Sequence, residues 1–280
     1  MSALLELTHV SKTFTRGLFG GRKIEAVSDV SFALQADAPE IFTIIGESGS
    51  GKTTLSRMIL NIERPTSGRL SFAGKDLTQW RGAAARHEFL GLVQPIFQNP
   101  FEAFNPLKRL DRYLFMTARR FGKAEDRMSV ERAADEALQQ VGLSLAEARG
   151  RFPHELSGGQ LQRIAIARAL LAKPKLIVAD EPVSMVDASL RMSIVNLLKS
   201  LRDRFGIHII YITHDLATAY YISDRLIIMR KGRVVESGDA RAVLDAPKDP
   251  YSRQLKDAVL LPITGDNTHQ QMFGSKEMTS

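Results

Sequence analysis

The sequence of 280 residues contains no cysteine. Disulfides, zinc–thiolate sites and iron–sulfur clusters are therefore excluded. It also has no run of about 18 apolar residues, so we expect no membrane-spanning helix. The N-terminus has neither a basic stretch nor a long apolar one, so we expect no signal peptide there. What is present is 44% hydrophobic and 25% charged residues, which is typical of a globular protein with one large domain or two small ones.

The formal net charge is +7, and part of the excess lies in residues 105–127. A basic patch there could face nucleic acid or an anionic membrane surface. The charges are interleaved with apolar residues at helical spacing, however, which favours the solvent-exposed face of helices.

Residues 46–53 have the sequence Gly-Glu-Ser-Gly-Ser-Gly-Lys-Thr, which is the pattern of a phosphate-binding loop. An apolar run, Ile41–Ile45, comes before it, and a segment compatible with a helix, Thr54–Ile62, follows. In a turn between a strand and a helix, the backbone N–H groups and the helix N-terminus can bind an anion. We therefore expect this stretch to bind a nucleoside triphosphate. The candidate residues are Gly46, Glu47, Ser48, Gly49, Ser50, Gly51, Lys52, Thr53 and Thr54.

Strand-like and helix-like segments alternate along much of the chain, which predicts a parallel α/β sheet. Short apolar runs at 176–179 and 207–212 are typical of central parallel strands. Polar residues come just after the strand-like runs, and ligands bind at the carboxyl ends of such strands. We expect these polar residues to meet at one edge of the sheet: Gly46–Thr53, Gln98, Asp180–Glu181 and His214.

Phosphoryl transfer from ATP requires charge neutralisation, a metal ion and an oriented nucleophile. Lys52 would contact the β- and γ-phosphates, and Glu181 would accept a proton from the attacking water. His214 could contact the γ-phosphate, although a single histidine is more often structural. The candidate Mg²⁺ ligands are Thr53, Gln98 and, through water, Asp180.

Three further features stand outside this pattern. Between Phe101 and Gly150 apolar residues recur at three- and four-residue spacing, which predicts a helical insertion of about 50 residues. After it, Ser157 and Gln160 have the spacing of a capping box and open a helix. Phe14, just before a basic and glycine-rich turn, could stack on an adenine ring, but the pattern alone favours a core aromatic residue on a strand.

The run Leu156-Ser-Gly-Gly-Gln160 resembles the signature motif of ATP-binding cassette (ABC) ATPases. The phosphate-binding loop, Gln98, the signature, Asp180–Glu181 and His214 occur in the order of that family, and the resemblance covers residues 4 to about 240. Two segments, 97–106 and 246–253, resemble the oligopeptide/dipeptide importer branch, which also contains nickel and oligosaccharide importers.

The resemblance implies a P-loop NTPase (RecA-like) fold of the α/β class. Its core would be a mainly parallel sheet, with an antiparallel β subdomain and an inserted α-helical subdomain. The implied ABC ATPase domain spans residues 1–262, with a catalytic core and β subdomain at 1–98 and 160–240. The helical subdomain would span 99–159 and a C-terminal helical extension 241–262, followed by a disordered tail at 263–280.

The resemblance also implies an ATPase that uses ATP and Mg²⁺ and powers an importer of peptides or related solutes such as oligosaccharides or nickel. The implied partners are membrane permease subunits, a solute-binding protein and a second ATPase subunit, identical or different, with no nucleic acid. The location would be peripheral, on the cytoplasmic face of the inner membrane. In the family, the signature of one subunit contacts the γ-phosphate held by the other. The residues this adds to the site are Phe14, Ser157, Gly158, Gly159, Gln160 and Asp187.

One departure from the family pattern is the loop Ser184-Met-Val-Asp187, which has Met-Val where Ala-Leu is commoner. Asp187 is kept, so we expect an intact ATPase. The alternative is a soluble relative that acts on nucleic acid or ribosomes. DNA-acting relatives carry a far longer insertion before the signature, and ribosome-acting relatives carry two cassettes in one chain.

Overall fold

The computed structural model describes residues 2–16, 22–122 and 124–260. The tail predicted at 263–280 and most of the glycine-rich turn after Phe14 lie outside these residues. Two sheets and the helices around them make up the described part of the chain. No helix in that part is both long and apolar enough to cross a lipid bilayer.

The first sheet is antiparallel and has the strand order β2-β1-β4-β5. Its strands are β1 (Ala3–Arg16), β2 (Arg22–Gln35), β4 (Ser67–Phe72) and β5 (Lys75–Asp76). This is the predicted antiparallel β subdomain, with Leu5, Val27 and Phe72 buried.

The second sheet has six strands in the order β10-β9-β3-β8-β7-β6, and all neighbours pair in parallel except β10 with β9. Its strands are β3 (Ile41–Ile45), β6 (Val93–Ile96), β7 (Leu176–Asp180), β8 (His208–Thr213), β9 (Arg225–Arg230) and β10 (Arg233–Asp239). The strand β6 contains Pro95, which is tolerated because β6 lies at the edge of the sheet. The predicted mainly parallel core is therefore confirmed.

Ten α-helices join these strands in the described chain. They are α1 (Lys52–Ile59), α2 (Gly82–Leu92), α3 (Leu110–Phe121), α4 (Arg127–Gln140), α5 (Leu145–Ala148), α6 (Gly158–Leu170), α7 (Ala188–Phe205), α8 (Leu216–Ile222), α9 (Ala240–Asp245) and α10 (Pro250–Leu260). The predicted helical insertion contains α3, α4 and α5. The helix α2 was not among the elements predicted from the sequence.

The largest hydrophobic cluster joins the helical insertion to one face of the six-stranded sheet. It contains Leu114 of α3, Leu138 of α4 and Leu161 of α6 together with Ile177 and Tyr211 of the sheet. A second cluster packs the antiparallel sheet against the opposite face. The helix α6 thus contributes to both the insertion and the core, and the predicted boundary between residues 159 and 160 falls within it. The division into subdomains stays a prediction.

Candidate functional site

The loop between β3 and α1 is held tightly against its neighbours by its glycines. Gly51 has φ +105°, and a Cβ there would overlap the carbonyl oxygen of Ala26. A Cβ on Gly46 would likewise overlap the carbonyl oxygen of Met229. Gly232 also donates its backbone N–H to the carbonyl of Ser50 over 2.9 Å. Only glycine fits at positions 46 and 51, so the loop backbone can lie directly against β9 and β2.

The side chain of Lys52 is buried and lies over its own loop. Its ammonium group donates hydrogen bonds to the carbonyl oxygens of Gly46, over 2.6 Å, and Glu47, over 2.9 Å. Burial lowers the pKa of Lys52, while the nearby carboxylates of Glu181 and Asp180 act in the opposite direction. A buried ammonium group is stabilised by a bound anion, so this position suits a phosphate.

Ser50 provides an independent indication of an anion. Its hydroxyl oxygen is buried and has no hydrogen-bond partner among the described residues. An unsatisfied buried hydroxyl is unfavourable, and a phosphate oxygen could accept a hydrogen bond from it. The cradle of glycines, Lys52 and this hydroxyl together fit a nucleoside triphosphate.

Asp180 ends β7 beside α1 and is a suitable ligand for a divalent cation. Ser56 donates a hydrogen bond from its hydroxyl to Asp180 Oδ2 over 3.3 Å. Burial raises the pKa of Asp180, and a cation would restore the charged form. Thr53 lies three residues before Ser56, in the first turn of α1. No cluster of three or more acidic or histidine residues suited to a metal occurs in the described chain. Few carboxylates are needed, because Mg²⁺ often takes one or two of them together with phosphate oxygens.

Glu181 follows β7 with a backbone conformation that is rare for a residue with a side chain. Its φ of +45° lies in the left-handed region. Its N–H donates to the carbonyl of Ile212 over 2.9 Å, and its own carbonyl accepts from Ser184 N–H over 3.2 Å and from Ser184 Oγ over 3.0 Å. Strained conformations of this kind persist where surrounding contacts hold them, and they cluster at functional sites.

The carboxylate of Glu181 lies between Gln98 and His214. Gln98 Nε2 donates to Glu181 Oε2 over 2.9 Å, and His214 Nδ1 lies 3.1 Å from Glu181 Oε1. These residues follow β6, β7 and β8, which are neighbours in the sheet. Of the side chains predicted to meet at the carboxyl edge of the sheet, Gln98, Glu181 and His214 are therefore in contact, whereas their chemical roles stay predictions.

The signature residues lie in a second group. Ser157 and Gln160 form the predicted capping box, with Gln160 N–H donating to Ser157 Oγ over 3.2 Å and Ser157 N–H donating to Gln160 Oε1 over 3.1 Å. A Cβ on Gly158 would come 3.0 Å from the carbonyl oxygen of Met185, and one on Gly159 would contact Leu190. The tip of α6 thus packs against the loop that contains Asp187. No hydrogen bond found among the described residues joins this tip to the phosphate-binding loop.

Phe14 lies on the hairpin that backs the phosphate-binding loop. It is paired with Ile24 on β2, and its side chain is 40% exposed. The interpretation of Phe14 as a core residue is therefore wrong. Lys12 Nζ lies 4.9 Å from the centre of its ring. The same hairpin places the carbonyl of Ala26 against Gly51, so an exposed aromatic ring stands on the segment next to the loop.

Sequence reasoning missed two contacts of the loop. The hydroxyl of Tyr251 in α10 accepts a hydrogen bond from Glu47 N–H over 3.0 Å, and Gly232 binds Ser50 as described above. Both partners lie far along the chain, so no local pattern could pair them with the loop. The only signal was the resemblance of residues 246–253 to a branch-specific segment.

Comparison with known proteins gives consistent results. Residues 27–184 match the family model described as ABC transporter. The oligopeptide transport ATP-binding protein AppF of Bacillus subtilis is 38% identical over 268 residues, which cover 93% of this chain and 79% of that protein. The oligopeptide transport ATP-binding protein OppF of Haemophilus influenzae is also 38% identical, over 92% of this chain and 79% of that protein.

Among solved structures, the dimeric post-hydrolysis state of the ATP-binding cassette MJ0796 bound to ADP and Pi superposes with a TM-score of 0.74. It is 28% identical and covers 85% of this chain and 99% of that chain. The cassette cbiO1 from Clostridium perfringens, described as part of a transporter complex, also gives 0.74, at 24% identity and 94% and 97% coverage. At that identity the second likeness establishes the fold alone.

Proposed function

Because this chain belongs to the ABC transporter family, we propose that it powers the import of peptides by hydrolysing ATP at the site around Glu181. Its identity as an ATP-binding and ATP-hydrolysing subunit of an importer agrees with the motif set, the relatives and the superposed cassettes. The observation that carries the assignment of the site is the contact of Glu181 with both Gln98 and His214 beside the phosphate-binding loop.

In this proposal the loop and Lys52 bind the triphosphate. The loop amides and the N-terminus of α1 supply partial positive charge, and Lys52 supplies a full one. On binding, Lys52 would exchange the carbonyl oxygens of Gly46 and Glu47 for phosphate oxygens, and Ser50 Oγ would gain an acceptor. Phe14 would stack on the adenine ring, since an exposed aromatic side chain beside the loop presents a flat apolar face.

Mg²⁺ would neutralise charge that develops on the phosphates. Thr53 would hold it through the hydroxyl group, Gln98 through the amide oxygen and Asp180 through water. The amide nitrogen of Gln98 donates a hydrogen bond to Glu181. The Gln98 side chain would therefore link the metal ion to the proposed general base.

Glu181 would take a proton from the attacking water. It is held by its backbone contacts and by two side chains, so its carboxylate has little freedom to turn away. A base fixed within hydrogen-bond reach of its water contributes to catalysis through position as well as basicity. His214, exposed at the other carboxylate oxygen, would contact the γ-phosphate.

We further propose that two cassettes act together. The capped tip of α6 presents free N–H groups that suit an anion, and it lies with Asp187 apart from its own phosphate-binding loop. A second subunit would bring its loop to this tip and enclose ATP between them. The superposition on a dimeric cassette supports this arrangement. The domain boundaries follow the expectation given above, with 99–159 as the part that docks on the membrane subunits.

The proposed cargo is oligopeptides, as the names of the relatives suggest. The proposed partners are permease subunits and a solute-binding protein, with the ATPase peripheral on the cytoplasmic face of the inner membrane. The related solutes that such an importer would carry instead are nickel or oligosaccharides. Nothing in the described residues favours the alternative of a soluble relative acting on nucleic acid or ribosomes.

The experiment is purification of the tagged chain from detergent-solubilised membranes of its own host, followed by reconstitution of the complex in vesicles. We expect membrane subunits to co-purify and ATP-dependent uptake of a labelled peptide to exceed uptake of nickel or a labelled oligosaccharide. Chelation of Mg²⁺ with EDTA should stop both hydrolysis and uptake. Co-purification with ribosomes or nucleic acid in place of membrane proteins would contradict the proposal.

A further inference from the structure

The phosphate-binding loop is attached to the C-terminal helix by one side-chain hydroxyl. Glu47 donates its backbone N–H to Tyr251 Oη over 3.0 Å, although the two residues are 204 positions apart. Glu47 is the second residue of the loop and lies two positions after Ile45, the last residue of β3. The contact therefore reaches the loop at the point where the strand ends.

The ring of Tyr251 is fixed from several sides. It is 4% exposed and belongs to a buried cluster that also contains Ile45, the residue before the loop. The guanidinium group of Arg230 lies 4.7 Å from the centre of the ring. Asp249 accepts the backbone N–H of Tyr251 over 2.8 Å and so holds the start of α10. Because the ring is held from several sides, its hydroxyl group is held in one place. The hydrogen bond that this hydroxyl group accepts therefore restrains the backbone of Glu47.

The segment that carries Tyr251 is itself tied to the sheet. Glu236 on β10 accepts the backbone N–H of Lys248 over 2.8 Å and that of Asp249 over 3.2 Å. A chain of contacts therefore runs from β10 through Glu236, Asp249 and Tyr251 to the loop. Removal of Glu236 would loosen the segment without touching the loop.

We infer that Tyr251 is a positioning residue for the phosphate-binding loop and that the C-terminal segment controls nucleotide affinity through its hydroxyl. The inference rests on the proposed function, since it assigns control of the same ATP site. Without the hydroxyl, the first turn of the loop samples other conformations, and ordering it becomes a cost of binding. Tyr251 does not contact Glu181, so hydrolysis of bound ATP is not affected.

The first test is amide hydrogen exchange of Glu47 in the nucleotide-free full chain. The variant Tyr251→Phe removes only the hydroxyl and keeps the ring, and we expect the Glu47 amide to exchange about 3- to 10-fold faster, as the loss of one hydrogen bond predicts. The matched control is Tyr113→Phe, because Tyr113 Oη also accepts a backbone N–H, that of Asn105, over 2.7 Å. In the control, Glu47 should exchange as in the wild type. Unchanged exchange of Glu47 in Tyr251→Phe would overturn the inference.

The second test separates affinity from turnover. In Tyr251→Phe we expect the Kd for Mg·ATP and the KM for ATP to rise about 3- to 10-fold, with kcat within twofold of the wild type. Glu236→Gln should shift affinity in the same direction. Because both changes act through one contact, adding Glu236→Gln to Tyr251→Phe should cause little further loss. Fully multiplicative effects, or a fall in kcat with unchanged affinity, would overturn the inference.

The two proposals fail differently. A wild-type chain that neither binds nor hydrolyses ATP contradicts the proposed function, whatever the exchange of Glu47 shows. A wild-type chain that binds and hydrolyses ATP, with the same affinity in Tyr251→Phe, contradicts the positioning role alone.

Discussion

Gln98 donates a hydrogen bond to Glu181 across two neighbouring strands, over 2.9 Å, although 83 positions separate them in the chain. The other oxygen of the same carboxylate lies 3.1 Å from His214 Nδ1. One carboxylate is thus oriented by residues after three adjacent strands. The position of this carboxylate therefore depends on how β6, β7 and β8 are aligned in the sheet.

We predict that Glu181→Gln lowers the ATPase rate at least 100-fold, while the Kd for ATP stays within about threefold of the wild type. The amide keeps the size of the side chain and can still contact Gln98, but it cannot accept the proton. Steady-state hydrolysis and equilibrium nucleotide binding measure the two quantities. The control is Glu88→Gln, an exposed position on α2, which should leave both unchanged. A Glu181→Gln variant with a near-normal rate would remove this residue from its role.

We predict that Ser157→Arg abolishes hydrolysis in the assembled complex but leaves nucleotide binding by the isolated chain intact. Arginine at this tip would block the approach of the second subunit. The control is Asp239→Arg, since the exposed side chain of Asp239 also caps a helix, accepting the N–H of Ala242 in α9 over 2.9 Å. Both variants lose a helix cap that contributes about 1 kcal/mol to the free energy of unfolding. Only Ser157→Arg, however, should affect hydrolysis. Loss of ATP binding by the isolated Ser157→Arg chain would contradict a role across the dimer.

We predict that Phe14→Ala raises the KM for ATP about 10-fold, because base stacking on an aromatic side chain is worth about 1–3 kcal/mol. Phe14→Trp should retain affinity. The control is Ile24→Ala, which truncates the exposed cross-strand neighbour on the same hairpin. Equal effects of the two alanine variants would show that Phe14 supports only the hairpin.

The stability of the chain should depend on His208 between pH 7.5 and 5.5. His208 is 2% exposed, and burial lowers its pKa. The unfolded chain takes up a proton near its ordinary pKa of about 6.5, whereas the folded chain resists protonation. Stability from this group is therefore present above that pH and is lost as the pH falls, by up to about 1.4 kcal/mol per pH unit.

Urea unfolding at the two pH values measures this dependence. The variant His208→Asn should lose less stability on acidification than the wild type. The control His154→Asn changes an exposed histidine and should lose as much as the wild type. An unchanged pH dependence in His208→Asn would contradict the assignment.

The parallel core was predicted because its central strands are short, mostly apolar and followed by polar residues. Leu176–Asp180 and His208–Thr213 are almost entirely buried, so their composition alone identifies them. The helix α2 was missed because its polar residues, Arg86, His87 and Glu88, are consecutive and do not recur at three- or four-residue spacing. The glycines at positions 82 and 91 further weaken its helix propensity.

For the site, sequence patterns predicted which residues would gather but not how they touch. Gln98, Glu181 and His214 could be placed at one sheet edge, since parallel strands present their carboxyl ends together. The left-handed backbone of Glu181 and the bond from Ser56 to Asp180 depend on packing between distant segments. The contact of Tyr251 with Glu47 depends on where α10 lies, and helix periodicity carries no information about that.

The helix α6 begins at Gly158 and packs on the sheet farther along its length. Residues 161–170 of this helix contain neither proline nor glycine. Kinks in helices come mostly from such residues, so this stretch has no built-in joint. Leu161 and Ile164 lie in the same cluster as the helical insertion and Ile177 of β7. A displacement of the tip at Gly158 should therefore move α6 as a rigid body, and the helical insertion that packs on α6 should move with it.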